Sequence, residues 1–327
     1  MASERRIEVV KPGLATTVQD LGRPGYYHLG IPLSGGMDQY ALRAANRLVG
    51  NDEGAAVLEA TFLGPELRLH ADTIVAVTGA DMPAKLDGAP IPGWTSVAAR
   101  AGQMLSFDFL RRGARAYVAF AGGVDVPVVL GSRSTYTLGA LGGHEGRALR
   151  AGDTLPLGPA GKASPGASVP EALRRVPESP AVLRVLPGLY WHRVTEAAGE
   201  AFFADTWKVA PEADRIGYRF RGGRALDFVP RTQPFGAGSD PSNIVDSCYP
   251  YGSIQVPGGT EPIVLHRDAV SGGGYFMIGT VISADMDLIG QMQPHTPTRF
   301  VQVTMQQALG ARAERAAMLG RLRAHLP

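Results

Sequence analysis

The chain has 327 residues, 45% of them hydrophobic and 19% charged, with a net charge of +2. Such a balance predicts a globular protein with room for two domains, and it excludes a strongly charged surface built to hold nucleic acid or an anionic membrane. The single cysteine, Cys248, excludes an intramolecular disulfide and a cysteine-rich metal site.

Met1 to Arg6 leads into Ile7-Glu8-Val9-Val10 with no apolar signal-peptide region, and no stretch approaches a membrane span, so a cytoplasmic protein is expected. Ile7 to Val10 reads as a strand ended by Lys11-Pro12-Gly13. From Thr16 to Asp38, glycine and proline break the chain so often that Gln19, Asp20, Arg23, His28, Ser34 and Asp38 must sit on turns. Ala41, Ala44, Ala45, Leu48 and Val49 then recur at helical spacing, with Gly50-Asn51 as the stop. A helix starting behind Ser34-Gly35-Gly36 offers backbone N–H groups that can cradle a carboxylate or a developing negative charge. Close packing would account for the same glycines equally well.

Leu67 to Leu69, Thr73 to Thr78, Gln103 to Phe107 and Ala116 to Phe120 read as short strands, and Asp87-Gly88 as a hairpin turn. Gly131-Ser132-Arg133-Ser134-Thr135-Tyr136 is a run of hydrogen-bonding side chains, which alone suggests an exposed polar loop. Gly158 to Pro180 is rich in Gly, Pro, Ala and Ser and marks the expected boundary, exposed, between domains at 1–160 and 181–327. In the second half, Val182–Leu186, Ile254–Val256, Ile263–Leu265, Gly279–Ile282 and Phe300–Val303 predict strands, and Thr195–Phe203 a helix. Thr304-Met305-Gln306-Gln307 fits a capping box at the head of a terminal helix. Both halves therefore read as β-rich, as two packed barrels or sandwiches with a few short helices.

No phosphate-binding glycine loop, serine elbow or metal-ligand motif occurs, and the seven histidines stand apart. What remains is carboxylate, guanidinium and amide chemistry on glycine-flanked turns. Asp20 with Arg23, Asp214 with Arg215 and Arg267 with Asp268 lie close in sequence, an arrangement most often seen in solvated surface pairs. The last pair leads into Ser271-Gly272-Gly273-Gly274-Tyr275, where consecutive glycine N–H groups can form an anion nest.

Thr16-Thr17-Val18-Gln19-Asp20-Leu21-Gly22-Arg23-Pro24-Gly25 and Pro32-Leu33-Ser34-Gly35-Gly36-Met37-Asp38 resemble the biotin-dependent carboxyltransferase family. That family takes in the C-type subunit of 5-oxoprolinase (the KipA type), allophanate hydrolase subunit 2 and the carboxyltransferase region of urea carboxylase. Leu58-Glu59, Thr78-Gly79-Ala80-Asp81, Ala121 to Pro127, Leu130 to Tyr136, Asp214 to Tyr218 and Gly252 to Pro257 extend the resemblance over nearly the whole chain. It departs at Arg267 to Phe276, where Gly272 stands for a usual threonine and Phe276 for a usual proline.

The resemblance implies a mainly β fold of two cyclophilin-like barrels, and action on a small amide, lactam or urea. It implies a B-type (KipI-like) partner, together with an A-type partner or a biotin carboxylase and carrier. ATP, or carboxybiotin on a separate carrier, would come through those partners, because none of Lys11, Lys85, Lys162 and Lys208 is flanked by methionine as a biotinylated lysine usually is. The leading expectation is a C-type component of an ATP-dependent 5-oxoprolinase, inactive alone. A carboxyltransferase acting on a urea-like nitrogen is the alternative, and a regulator that binds a kinase inhibitor is a third reading. Asp20, Arg23 and Asp268 are the expected catalytic residues. Gln19, Ser34, Asp38, Arg133, Arg215, Gln255, Gly273, Gly274 and Tyr275 are the expected substrate contacts. The two sets are expected to face one cleft, with no metal.

Overall fold

Alternation sets the first strand. In the computed structural model, which describes residues 5–161, 163–175 and 178–326, Ile7 and Val9 of β1 (Arg6–Lys11) are fully buried while their neighbours are not. The Met1 to Glu4 stretch and Lys162, read above from sequence, lie outside the described residues.

The strands that follow are β2 (Ala15–Gln19), β3 (Val57–Thr61), β4 (Glu66–Leu69), β5 (Thr73–Asp81), β6 (Ala84–Leu86), β7 (Ala89–Ile91), β8 (Ser96–Ala99), β9 (Met104–Phe107), β10 (Arg112–Phe120) and β11 (Thr154–Pro156). They form a six-stranded sheet, β11-β1-β4-β9-β6-β7, and a five-stranded one, β2-β3-β10-β5-β8. One apolar core joins them: Ile7, Val9, Leu67 and Leu105 from the first meet Leu58, Val75, Val118 and Phe120 from the second. The other face of the five-stranded sheet takes α1 (Gln39–Leu48), whose Tyr40, Ala41, Ala44, Ala45 and Leu48 are buried against Tyr117 and Ala119. The predicted Asp87-Gly88 turn joins β6 to β7, with both residues at positive φ as a two-residue hairpin requires.

A second set of strands closes a seven-stranded barrel, in the order β12-β19-β16-β17-β14-β13-β20. These are β12 (Ala181–Pro187), β13 (Trp207–Val209), β14 (Gly217–Arg221), β16 (Ser253–Gln255), β17 (Ile263–Leu265), β19 (Met277–Val281) and β20 (Pro297–Gln302); β15 (Asn243–Cys248) pairs apart with β18 (Gly272–Tyr275). Phe202 of α2 (Glu196–Ala204) stacks on Phe300 at 4.8 Å between centroids, with Trp207 and Phe220 around them. After α3 (Met286–Ile289) comes α4 (Met305–His325). The capping box ahead of α4 forms as its sequence predicts: Thr304 N–H donates to Gln307 Oε1 at 2.8 Å, and Gln307 N–H to Thr304 Oγ1 at 3.2 Å.

The fold is thus mainly β, with the barrel in the second half and two packed sheets in the first. Contacts divide the chain into a unit of Met1–Arg23, Ser34–Val176 and Ala317–Pro327 and a unit of Pro24–Leu33 and Pro177–Ala316. Two short segments, 24–33 and 317–327, therefore belong elsewhere than a single cut would put them. The glycine-rich stretch expected to be an exposed linker is also partly built in. Gly166 N–H donates to Ser96 O, Ser96 N–H to Ala167 O and Val169 N–H to Trp94 O, and Val169 is fully buried. Its backbone groups have found partners at Trp94 and at Ser96 of β8, which a composition count cannot register.

Candidate functional site

Strand β2 ends where Gly22, Pro24 and Gly25 forbid its continuation, and Asp20 sits at that end, 8% exposed. Its carboxylate is surrounded by donors. Oδ1 accepts from Gly22 N–H at 2.7 Å, from Ser132 Oγ at 2.6 Å and from Ser134 Oγ, while Oδ2 accepts from Arg133 N–H at 2.6 Å. Asp20 N–H donates back to Ser134 Oγ at 2.9 Å, and Asp20 O accepts from Gly36 N–H at 2.9 Å. Asp20 thereby pins the polar hexapeptide to the turn. Four donors, three on Oδ1 and one on Oδ2, already engage the carboxylate that a general base would need free.

The same interlock gathers most of the first-half candidates. Buried Arg23 donates through Nη2 to Ser134 O, and Gln19 Nε2 donates to Thr135 O at 3.2 Å. Gln19 Oε1 and Ser34 Oγ are buried with no hydrogen-bond partner among the described residues, and Ser34 holds a φ of 51°. Arg133 contributes its backbone; its guanidinium turns away to Val126 O and Asp125 Oδ1, both at 2.7 Å. Gly142 lies where an added Cβ would meet Ser134 O and Arg23 Nη2, so the loop above must be glycine there. Beside that loop an open cavity of about 510 Å³ is lined by Pro127, Val129 and residues 140–146.

The start of α1 is not the free cradle that the glycines suggested. Met37 N–H donates to Glu59 Oε2 at 2.8 Å, Asp38 N–H to Tyr117 Oη at 2.7 Å, and Ala41 N–H to Asp38 Oδ1 at 3.0 Å. The helix end thus takes the protein's own carboxylates, with Asp38 as its N-cap. Tyr117 Oη donates onward to Glu59 Oε2 at 2.8 Å, and Glu59 faces Arg115 at 3.7 Å. Burial, then the charges of Glu59 and Asp38, push the Tyr117 pKa well up, so the phenol stays a donor.

In the second unit Asp268 is also committed. Only 3% exposed, it takes a two-pronged contact from Arg215, Nε at 2.8 Å and Nη2 at 3.2 Å. Next to it the Arg267 guanidinium lies 4.6 Å from the Tyr251 ring centroid, and Ser271 Oγ donates to Tyr27 O at 3.0 Å. Burial raises the Tyr251 pKa to about 12, against the pull of Arg267, and burial raises that of Tyr27 as well. Gly272 to Tyr275 form no nest. They are the extended strand β18, paired with β15, and none of the three glycines has positive φ. Tyr249 Oη closes the strand, accepting from Tyr275 N–H at 2.8 Å and donating to Tyr275 O at 2.6 Å. Gln255 ends β16, and the Tyr275 side chain is half-exposed. Among the described residues no group of three or more His, Cys, Asp or Glu is placed to hold a metal.

A family described as carboxyltransferase domain, subdomain A and B, matches residues 29–302. The chain belongs to that carboxyltransferase family. The domain is 37% identical over 312 residues to the C-type subunit of 5-oxoprolinase from Escherichia coli, covering 94% of both chains. It is 35% identical over 316 residues to urea amidolyase of Saccharomyces cerevisiae, covering 92% of this chain and 17% of the yeast one. The crystal structure of Kluyveromyces lactis urea amidolyase superposes with a TM-score of 0.92 at 33% identity, over 98% of this chain and 20% of that one.

Sequence reading of this carboxyltransferase domain missed Glu59, Arg115, Tyr117, Ser132 and Ser134 as polar partners of the candidate residues. One signal was available: Glu59 is a lone charge inside the apolar run Val57-Leu58-Glu59-Ala60, and such a charge is buried only with partners. Nothing local marks Tyr117 or Arg115, which lie in a strand whose other residues, Arg112 apart, are apolar or glycine.

Proposed function

We propose that this carboxyltransferase-family chain is a C-type component of an ATP-dependent 5-oxoprolinase, opening 5-oxo-L-proline to L-glutamate with A-type and B-type partners in the cytoplasm. The reading rests on one observation: the match to the C-type 5-oxoprolinase subunit of E. coli covers 94% of both chains, so the two share a whole-chain design. A full-length match of 31% identity to the C-type 5-oxoprolinase subunit of Haemophilus influenzae, covering 97% of both, supports it too. The carboxylates of Asp20 and Asp268 are both engaged by the chain's own donors, which supports a component rather than a self-sufficient hydrolase. Lactam opening breaks the ring C–N bond and adds water. In this reading ATP enters through the partners, and this chain orients the lactam or its activated oxygen.

The second reading, carboxyl transfer from a carrier-borne carboxybiotin to a urea-like nitrogen, draws on the TM-score of 0.92 with the K. lactis urea amidolyase. The purified chain, alone and co-purified with the A-type and B-type proteins of its source, decides between them. ATP-dependent glutamate release from 5-oxoproline by the assembly, with none from the chain alone, is expected. Bicarbonate-dependent carboxylation of urea with a biotin carboxylase and carrier, and no glutamate, would overturn the 5-oxoprolinase reading.

A further inference from the structure

Guanidinium groups of the second unit that are only partly exposed commonly have a carboxylate: Arg184 pairs with Asp285, Arg215 with Asp268 and Arg315 with Asp287. Arg193 does not. It is 6% exposed, it has no ion pair among the described residues, and its Nε and Nη1 are buried without a hydrogen-bond partner. Nη2 donates to Pro241 O at 2.7 Å and, at 3.5 Å, reaches Asn243 O. The same Asn243 oxygen accepts from Arg231 Nη2 at 3.1 Å, and Arg231 too has no ion pair among the described residues. Two positive charges thus converge on one neutral carbonyl, flanked by the Phe276 ring, 5.8 Å from Arg193 Cζ. Burial, then the Arg231 charge, push the Arg193 pKa down, which is the signature of a cation without its counter-charge.

A buried charge is ordinarily paired, because backbone dipoles replace only part of the hydration it gives up. The cover over Arg193 is residues 229–243, irregular as far as Asn243 at the head of β15, and tied down by Val229 N–H to Arg193 O and by Phe276 N–H to Ser242 O, both at 2.8 Å. Arg231 stands at its exposed edge. We propose that Arg193 and Arg231 are a binding site for the carboxylate of a small organic acid, which displaces the Pro241 and Asn243 carbonyls from the two guanidinium groups and lifts the 229–243 segment. Planar guanidinium groups hold a carboxylate through paired, charge-assisted hydrogen bonds that a carbonyl cannot match. The choice of 5-oxo-L-proline as that acid rests on the function proposed above.

The test measures binding of 5-oxo-L-proline and of 2-pyrrolidinone, the same lactam without the carboxylate, to the full chain and to its assembled complex, with hydrogen exchange as a second readout. 5-Oxoproline is expected to bind at least about tenfold more tightly than 2-pyrrolidinone and to change exchange within residues 229–243. Arg231→Gln, at an exposed position, should keep the thermal midpoint and lose about tenfold or more in affinity. Arg193→Lys keeps the charge but not the fork, and should weaken binding as well. Equal binding of the two lactams, no binding of either to chain or complex, or wild-type affinity in Arg231→Gln would overturn the site. Normal turnover of 5-oxoproline with an unchanged KM in Arg231→Gln would overturn it and leave the 5-oxoprolinase reading standing. Arg231-dependent binding of glutarate by a complex that never turns over 5-oxoproline would support the site and remove that reading.

Discussion

Replacing Asp20 with asparagine keeps the side chain's shape and removes its charge, so it isolates what the carboxylate does. Oδ1 serves Gly22 N–H, Ser132 and Ser134, and Oδ2 serves Arg133 N–H. If the asparagine oxygen takes the Oδ1 place, its amide nitrogen faces the Arg133 N–H, donor against donor. If it flips, the same conflict falls on Gly22. Either way one buried backbone N–H loses its acceptor, which costs about 1–3 kcal/mol. The surviving bonds fall from charge-assisted to neutral, a loss of roughly half their strength. Together the change should cost about 2–4 kcal/mol, and for a unit of this size that lowers the thermal midpoint by roughly 5–15 °C. Circular dichroism melts and urea midpoints measure the stability, while activity per folded molecule of the assembled complex measures the chemistry. Activity should survive in the folded fraction. An unchanged midpoint beside a 100-fold fall in activity would refute this account and restore Asp20 as a group acting on substrate.

Asp268→Asn should cost about 3–5 kcal/mol, because it strands the Arg215 guanidinium in a buried place, and Asp268→Leu with Arg215→Leu should recover much of it; a double variant as unstable as the single one would contradict this. Ser34→Ala removes a buried hydroxyl with no partner, so the urea midpoint should hold or rise, whereas a fall of more than about 1 kcal/mol would mean the hydroxyl has an unseen role. Glu53 is held at a pKa of about 2 by the Arg323 hydrogen bond, reinforced by Arg43, against an ordinary 4.5. Its folded pKa is depressed, so its stabilisation is complete above about pH 4.5 and drains away as pH falls towards 2. The midpoint difference between wild type and Glu53→Gln should therefore be largest near pH 6 and vanish by about pH 2, and a difference that stays constant over that range would contradict the assignment.

Some of this protein was fixed within a few residues of sequence. The Asp87-Gly88 hairpin, the Thr304/Gln307 capping box and the apolar stripe of α1 depend on neighbours one to four positions away, so local reading finds them. The polar residues of the candidate site do not work that way. Asp20 takes its donors from Ser132, Arg133 and Ser134, more than a hundred residues on. The N–H groups ahead of α1 are claimed by Glu59 and Tyr117 from strands β3 and β10, and the triple glycine is drawn out straight by pairing with β15. A side chain's hydrogen-bonding capacity is written in the sequence, but which partner uses it is decided only when distant strands are brought into register. That is why Asp20, Asp268 and Gly272 to Gly274 read as open chemistry along the chain and are engaged in the fold, while Arg193, with no motif to mark it, has no counter-charge among the described residues.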